Sequence, residues 1–247
     1  GQTVAEDTAL IFAGTNAPPN ALSIADDAGA NEIDLALSVA HGTLRLGSVT
    51  GLSFQSGADG SRQLKIRGTL SQLIAALTGL AYTPDPDFNG IDVLEVLADD
   101  RATGGSGLPF TDFDAVNIHV QPVLDGAPAV TPAATVFGRQ TLTGLEIHPN
   151  PKDGPEVTHF RITGLTNGRL FLNNGRTAIH NGNLITASEA AAGLRFTPDS
   201  ILAGSFQVQA SLNDLAPPDA GSGLGGEVAT VTIQVEKADQ SILFEPI

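Results

Sequence analysis

The sequence predicts an all-β protein built from two tandem copies of one domain. Three observations carry this. Apolar residues recur at every second position, as in Ile33, Leu35, Leu37 and Val39, and again in Val116, Ile118 and Val120. That is the period of a strand with one buried face. The 28 Gly and 15 Pro in 247 residues suit many short strands joined by turns. Finally, Gly79-Leu-Ala-Tyr-Thr-Pro-Asp85 returns 114 residues later as Gly193-Leu-Arg-Phe-Thr-Pro-Asp199, Gly90 as Gly204, and Asp99-Asp100 as Asn213-Asp214.

The elements follow in order. Residues 3–12, closing on the apolar Ala9-Leu-Ile-Phe12, read as a first strand, and Leu22 to Ile24 as a short second one. Glu32 to Val39 alternates; His41-Gly42 turns it into Thr43-Leu-Arg-Leu46. Leu52 to Phe54 and Leu64 to Ile66 follow, with Asp59-Gly60 between them. From Thr69 the period changes. Leu70, Leu73, Ile74 and Leu77 fall at helical spacing, with Thr69 or Ser71 to cap the start and Gly79 the end. A short helix therefore crosses between strands. Leu80 and Tyr82 resume strand alternation until Pro84 and Pro86 stop it. Asn89-Gly90 turns the chain into the strand Asp92 to Leu97. A Gly-rich loop, Thr103 to Gly107, precedes the strand Asp114 to Val120.

Prolines and Asp125-Gly126 mark the junction, giving domains 1–122 and 123–236 and a tail 237–247. In the second copy Asn167-Gly168 answers His41-Gly42, and Thr186-Ala-Ser-Glu189 is a capping box opening the second helix. The strands 205–212 and 228–235 close it, around the loop 221–226. The tail carries Ile242-Leu-Phe244, an apolar run outside the repeat that suits an assembly strand.

Composition narrows the chemistry. A net charge of −15 opposes nucleic-acid binding and docking on anionic lipid, and favours divalent cations. No run of 18 apolar residues exists to span a membrane. There is no Cys, so no thiolate or disulfide chemistry. There is no Met, so Gly1 is read as following a cleavage or excision. The five His are spaced for no zinc site, and no Gly-x-Ser-x-Gly elbow occurs. With one Tyr and no Trp, a sugar-stacking platform for paired glycosidase acids is poor. An enzyme is not expected.

Several marks together resemble the tandem cadherin-like, adhesin-type repeats of large bacterial extracellular surface proteins. They are Val4-Ala-Glu-Asp-Thr8, His41-Gly-Thr-Leu44, Gly68-Thr-Leu70, Leu80-Ala-Tyr-Thr-Pro84, Phe88-Asn-Gly90 and Asp99-Asp100. Copy two keeps Leu194-Arg-Phe-Thr-Pro198 and Gly223-Leu-Gly-Gly226, lacks the Glu-Asp-Thr opening, and has Asn213-Asp214 for the Asp pair. The resemblance implies tandem Greek-key β-sandwiches of cadherin/Ig-like type. It implies a secreted or cell-surface location, partnership with self or neighbouring repeats, a surface receptor or polysaccharide as ligand, and calcium. The function expected is a non-enzymatic structural or adhesive module. The alternatives are a filament subunit joined by strand donation and a carbohydrate-binding module.

Calcium needs about 6–8 oxygen ligands, mostly from several carboxylates. The candidates are Glu6 with Asp7, Asp26 with Asp27, Asp99 with Asp100, Asp112 with Asp114, and Asp125. Such acids also cap turns and solvate loops. Counting seven strands in the first domain, parity gathers Glu6, Asp7, Asp99, Asp100 and Asp112 at one end. It sends Asp26, Asp27 and Asp125 to the other.

Overall fold

The computed structural model describes residues 1–15, 20–26, 31–101, 110–131, 135–215 and 223–237. The Ile242-Leu-Phe244 run, Asp27, the loop 103–107 and residues 221–222 of the second Gly-rich loop lie outside them. The chain divides into two units, Gly1–Pro122 and Val123–Ile247.

Unit 1 contains β1 (Gln2–Ala5), β2 (Leu10–Ile11), β3 (Glu32–Ser38), β4 (Gly42–Arg45), β5 (Ser53–Ser56), β6 (Gln63–Thr69), α1 (Leu70–Leu77), β7 (Ala81–Pro84), β8 (Gly90–Asp99) and β9 (Thr111–Gln121). One sheet has the order β1-β9-β8-β3-β6-β5, the other β2-β7-β4. The core lies between them. Ile33, Leu35 and Leu37 of β3, Leu64 and Ile66 of β6, and Ile118 and Val120 of β9 face Leu44 of β4 and Tyr82 of β7. Each such side chain contributes about 1.5–3 kcal/mol by leaving water. The intervening residues of β3, β6 and β8 face outward, which is why these strands alternate.

The predicted first strand is two. The backbone at Asp7 turns left-handed, φ 54°, so β1 joins one sheet and β2 the other. Leu22 to Ile24 is not a strand. Its Leu22 and Ile24 pack against the core, but its backbone joins no ladder. The helix forms as its spacing predicts, with Leu73, Ala76 and Leu77 buried, and it carries the chain from the larger sheet to the smaller. The Gln72 side chain accepts the Thr69 amide at 2.8 Å, satisfying one N-terminal donor.

Unit 2 contains β10 (Ala129–Val130), β11 (Thr135–Phe137), β12 (Leu142–Leu145), β13 (Ile147–His148), a 3₁₀ turn (Gly154–Glu156), β14 (His159–Thr166), β15 (Gly168–Phe171), β16 (Ala178–Ile179), β17 (Leu184–Thr186), α2 (Ala187–Ala191), β18 (Leu194–Pro198), β19 (Gly204–Ser211) and β20 (Ala229–Glu236). Its main sheets are β11-β20-β19-β14-β17 and β12-β18-β15-β16. Phe160, Ile162, Phe196, Phe206, Val208 and Ile233 fill the space between.

The plan repeats that of unit 1. β11 runs parallel to β20 as β1 does to β9; α2 crosses between sheets as α1 does; β12 pairs with β18 as β2 does with β7. At α2 the capping box is closed from both sides: Thr186 N donates to Glu189 at 2.9 Å and Glu189 N to Thr186 Oγ1 at 3.1 Å.

Candidate functional site

The acidic residues of unit 1 separate into two groups, and the division differs from strand counting. Because β1 is parallel to β9, Glu6 and Asp7 lie at the C-terminal end of β9, where Glu6 N donates to Gln121 O at 2.9 Å. Asp99, Asp100 and Asp112 flank the hairpin at the opposite end of β8 and β9. A first strand running antiparallel would have put them together. Asp7 is joined instead by Asp87, from the loop after β7. Asp87 N donates to Asp7 Oδ1 at 3.3 Å, and the two carboxylates approach within 4.8 Å. Glu6 is 3% exposed, Asp7 and Asp87 openly so.

At the other end, Asp26, Asp100, Asp112 and Asp114 line a cleft of about 550 Å³. Much of this acid has local work. Asp99 Oδ1 accepts the Arg101 amide at 2.8 Å, and Asp100 Oδ1 the Phe110 amide at 2.8 Å. In unit 2 Asn213 Oδ1 accepts the Leu215 amide at 3.0 Å, the same contact as that of Asp99. A neutral amide thus does the turn-closing work of the carboxylate.

Unit 2 holds an acid that the sequence reading passed over. Asp153 sits in the loop 149–153, between β13 and the 3₁₀ turn, and is fully buried. Its Oδ1 accepts the amide of Asp125 at 2.6 Å. Its Oδ2 is buried and meets no donor among the described residues. Asn150 fixes the loop. Its carbonyl accepts the Asp153 amide at 3.0 Å, and its side chain bonds the Lys152 amide at 3.0 Å and the Ala127 carbonyl at 3.3 Å. The Glu156 carboxylate is buried and folds back over Gly154, next to Asp153. The signal in the sequence is Asp153-Gly-Pro-Glu156, two acids bracketing a turn; nothing local shows that the fold carries them to Asp125.

A buried carboxylate oxygen without a donor is costly. Asp153 and Glu156 supply only oxygens, the donor type that suits calcium rather than softer metals. Asp125 meets Asp153 through its backbone amide.

Two other buried carboxylates are satisfied by the protein. Asp34 takes a bidentate bond from Arg67 at 2.6 and 3.1 Å and an ion pair from Lys65 at 3.0 Å. Arg67, against the opposing cost of burial and with help from Lys65, holds its pKa down at about 2. Asp92 accepts the amides of Ala40, His41 and Val93. Burial would raise its pKa, but these bonds and the Tyr82 hydroxyl outweigh that and lower it.

No family profile matches this chain, and no characterised protein matches it in sequence. Among solved structures it is similar to domains 4 and 5 of the S-layer protein SbsC, at 14% identity and a TM-score of 0.31. That match covers 65% of this chain and 64% of the SbsC fragment, so the chain spans less than two thirds of its length. It is similar to human mucin-like protocadherin EC1-2, at 13% identity and 0.37, covering 96% and 95%. It is also similar to the C-terminal domain of the Streptococcus agalactiae AgI/II polypeptide BspA, at 10% and 0.30, covering 96% and 95%.

Proposed function

We propose that the chain is a non-enzymatic structural and adhesive repeat module of a bacterial extracellular surface protein, partnered by neighbouring repeats and stiffened by calcium. The observation that carries this reading is the Asp153 carboxylate, buried, with one oxygen on the Asp125 amide and the other lacking a donor among the described residues. Asp153 and Glu156 would hold the ion in unit 2; Asp7 and Asp87 offer a second acid pair within unit 1. Bound calcium supplies positive charge that ties acidic loops to strand ends. The protein's part is to hold those loops in place, through Asn150 in unit 2 and through the Asp7–Asp87 contact in unit 1.

Two features support a mechanical rather than a catalytic role. The well-buried Asp34 and Asp92 are spent on Arg67, Lys65 and backbone amides. The same plan also occurs twice in the chain, the economy of a repeat array.

The test is calcium titration of the chelator-treated chain, followed by calorimetry and thermal melting. Saturable heat and a rise in melting temperature are expected, and Asp153→Asn should remove most of both. No heat and no shift reject calcium; an unchanged response in Asp153→Asn rejects this site.

A further inference from the structure

We propose that the outer face of the β12-β18-β15-β16 sheet in unit 2 binds an acidic sugar, a uronate residue of an extracellular polysaccharide, through Arg169 and Arg195. The sheet register builds the site. Arg169 of β15 stands opposite Thr197 of β18, and Phe171 opposite Arg195; on the far side Arg195 stands opposite Thr143 of β12. Thr141 adds its hydroxyl, 2.9 Å from that of Thr197. These six side chains share the face turned away from the core, because Leu170, Leu194 and Phe196 occupy the alternate positions. They line a hollow of about 280 Å³.

The two arginines are held rather than loose. Arg195 Nε donates to the Asn173 carbonyl at 2.6 Å, and the turn at Gly175 packs against its stem. Arg169 Nε donates to Asp199 at 3.1 Å. Both bonds use Nε, and among the described residues no protein acceptor takes their terminal nitrogens. Arg139, from the loop before β12, donates to the Asp199 carbonyl at the end of β18 at 2.9 Å. Two of the chain's 12 basic side chains therefore stand on one face of one sheet, with a third at the end of β18, in a protein whose net charge is −15.

The duplication shows that the fold does not require this. At the matching positions unit 1 has Thr43 for Arg169, Arg45 for Phe171 and Ala81 for Arg195, with the strand pairing unchanged. The arginine pair is an addition to a frame that folds without it.

The ligand class follows from the lining. A guanidinium matches a carboxylate in two parallel bonds. Three threonine hydroxyls both donate and accept, as vicinal sugar hydroxyls require. Phe171 offers an apolar wall to the ring. The volume lies near the lower bound of about 300 Å³ for ordinary ligand pockets, so it takes one pyranose rather than a folded partner. A long, densely charged polyanion is disfavoured by the acidic remainder of the chain.

The experiment is a titration of the full chain with sodium glucuronate and a short oligogalacturonate, with calcium chelated so that the outcome is separate from Asp153. The readout is the backbone amide resonances. Saturable shifts at Thr141, Thr143 and Thr197 are expected, together with about a tenfold loss of affinity in Arg169→Gln and in Arg195→Gln. Arg195→Lys should restore part of it, and melting should confirm that the variants fold. Glucose and acetate should bind far more weakly. The proposal is overturned by the absence of saturable shifts, by equal affinity in the variants, by acetate matching glucuronate, or by a glutamate-rich peptide binding more tightly than either sugar.

Discussion

The Tyr82 hydroxyl lies 2.9 Å from the Asp92 carboxylate and 2.8 Å from the His41 carbonyl, so one phenol joins the smaller sheet of unit 1 to the β3–β4 turn. Asp92 holds that turn by the amides of Ala40 and His41 at 3.0 and 2.9 Å. The matching pair in unit 2 is Phe196 and Phe206, both fully buried. One frame therefore closes the same corner in a polar and an apolar version.

Removing the polar corner should be costly in proportion to the donors left stranded. Asp92→Ala removes the acceptor of the part-buried amides of Ala40, His41 and Val93 and leaves the Tyr82 hydroxyl only the His41 carbonyl, and should destabilise unit 1 by about 3–5 kcal/mol. Tyr82→Phe leaves the amides served and should cost about 1 kcal/mol. Urea unfolding of the full chain, followed by circular dichroism, separates the two.

Acid should weaken unit 1. Asp34 is held at about 2, and Asp92 is also lowered, below the ordinary 3.8. A depressed folded-state pKa contributes stability above the unfolded value and loses it as pH falls through the folded one. Melting temperature should therefore drop between about pH 4 and pH 2. Because water reaches Lys65 and Arg67, the Asp34 share should be only about 1–2 kcal/mol. Asp34→Asn should flatten the profile.

Alkali should act through Tyr82. Burial, then the nearby Asp92, raises its pKa well above 10. A raised value means stability that is complete below pH 10 and falls away above it. Tyr82 is the chain's single tyrosine, so tyrosinate absorbance reports this site alone. Its appearance should coincide with loss of circular dichroism rather than precede it.

The Asn167-Gly168 turn should not tolerate a side chain. A Cβ on Gly168 would run into the ring of Phe196, and a Cβ on Gly204 would meet the same ring from its own strand. Gly168→Ala should cost about 2–3 kcal/mol by overpacking. Thr186→Ala, which removes only the cap on α2, should cost about 1 kcal/mol. Calorimetric scans of both variants test the order.

What the sequence determined alone is what repeats locally. Alternation at Ile33, Leu35 and Leu37 marks a strand wherever that strand pairs, and the change of period at Leu70 marks a helix whatever it packs on. The 114-residue repeat declares two copies. Residues 22–24 show the limit: Leu22 and Ile24 have the pattern and the burial, but a strand also needs a partner's backbone. Which acids meet was settled by tertiary structure. Glu6 and Asp7 part from Asp99 because β1 lies parallel to β9, a direction that no residue of β1 encodes by itself. Asp153 becomes a fully buried carboxylate only because the loop after β13 returns to Asp125, 28 residues away in sequence. Periodicity is a property of neighbours along the chain. Convergence of like charges works against Coulomb repulsion, and only the packed sheets, through many apolar contacts, hold such groups together.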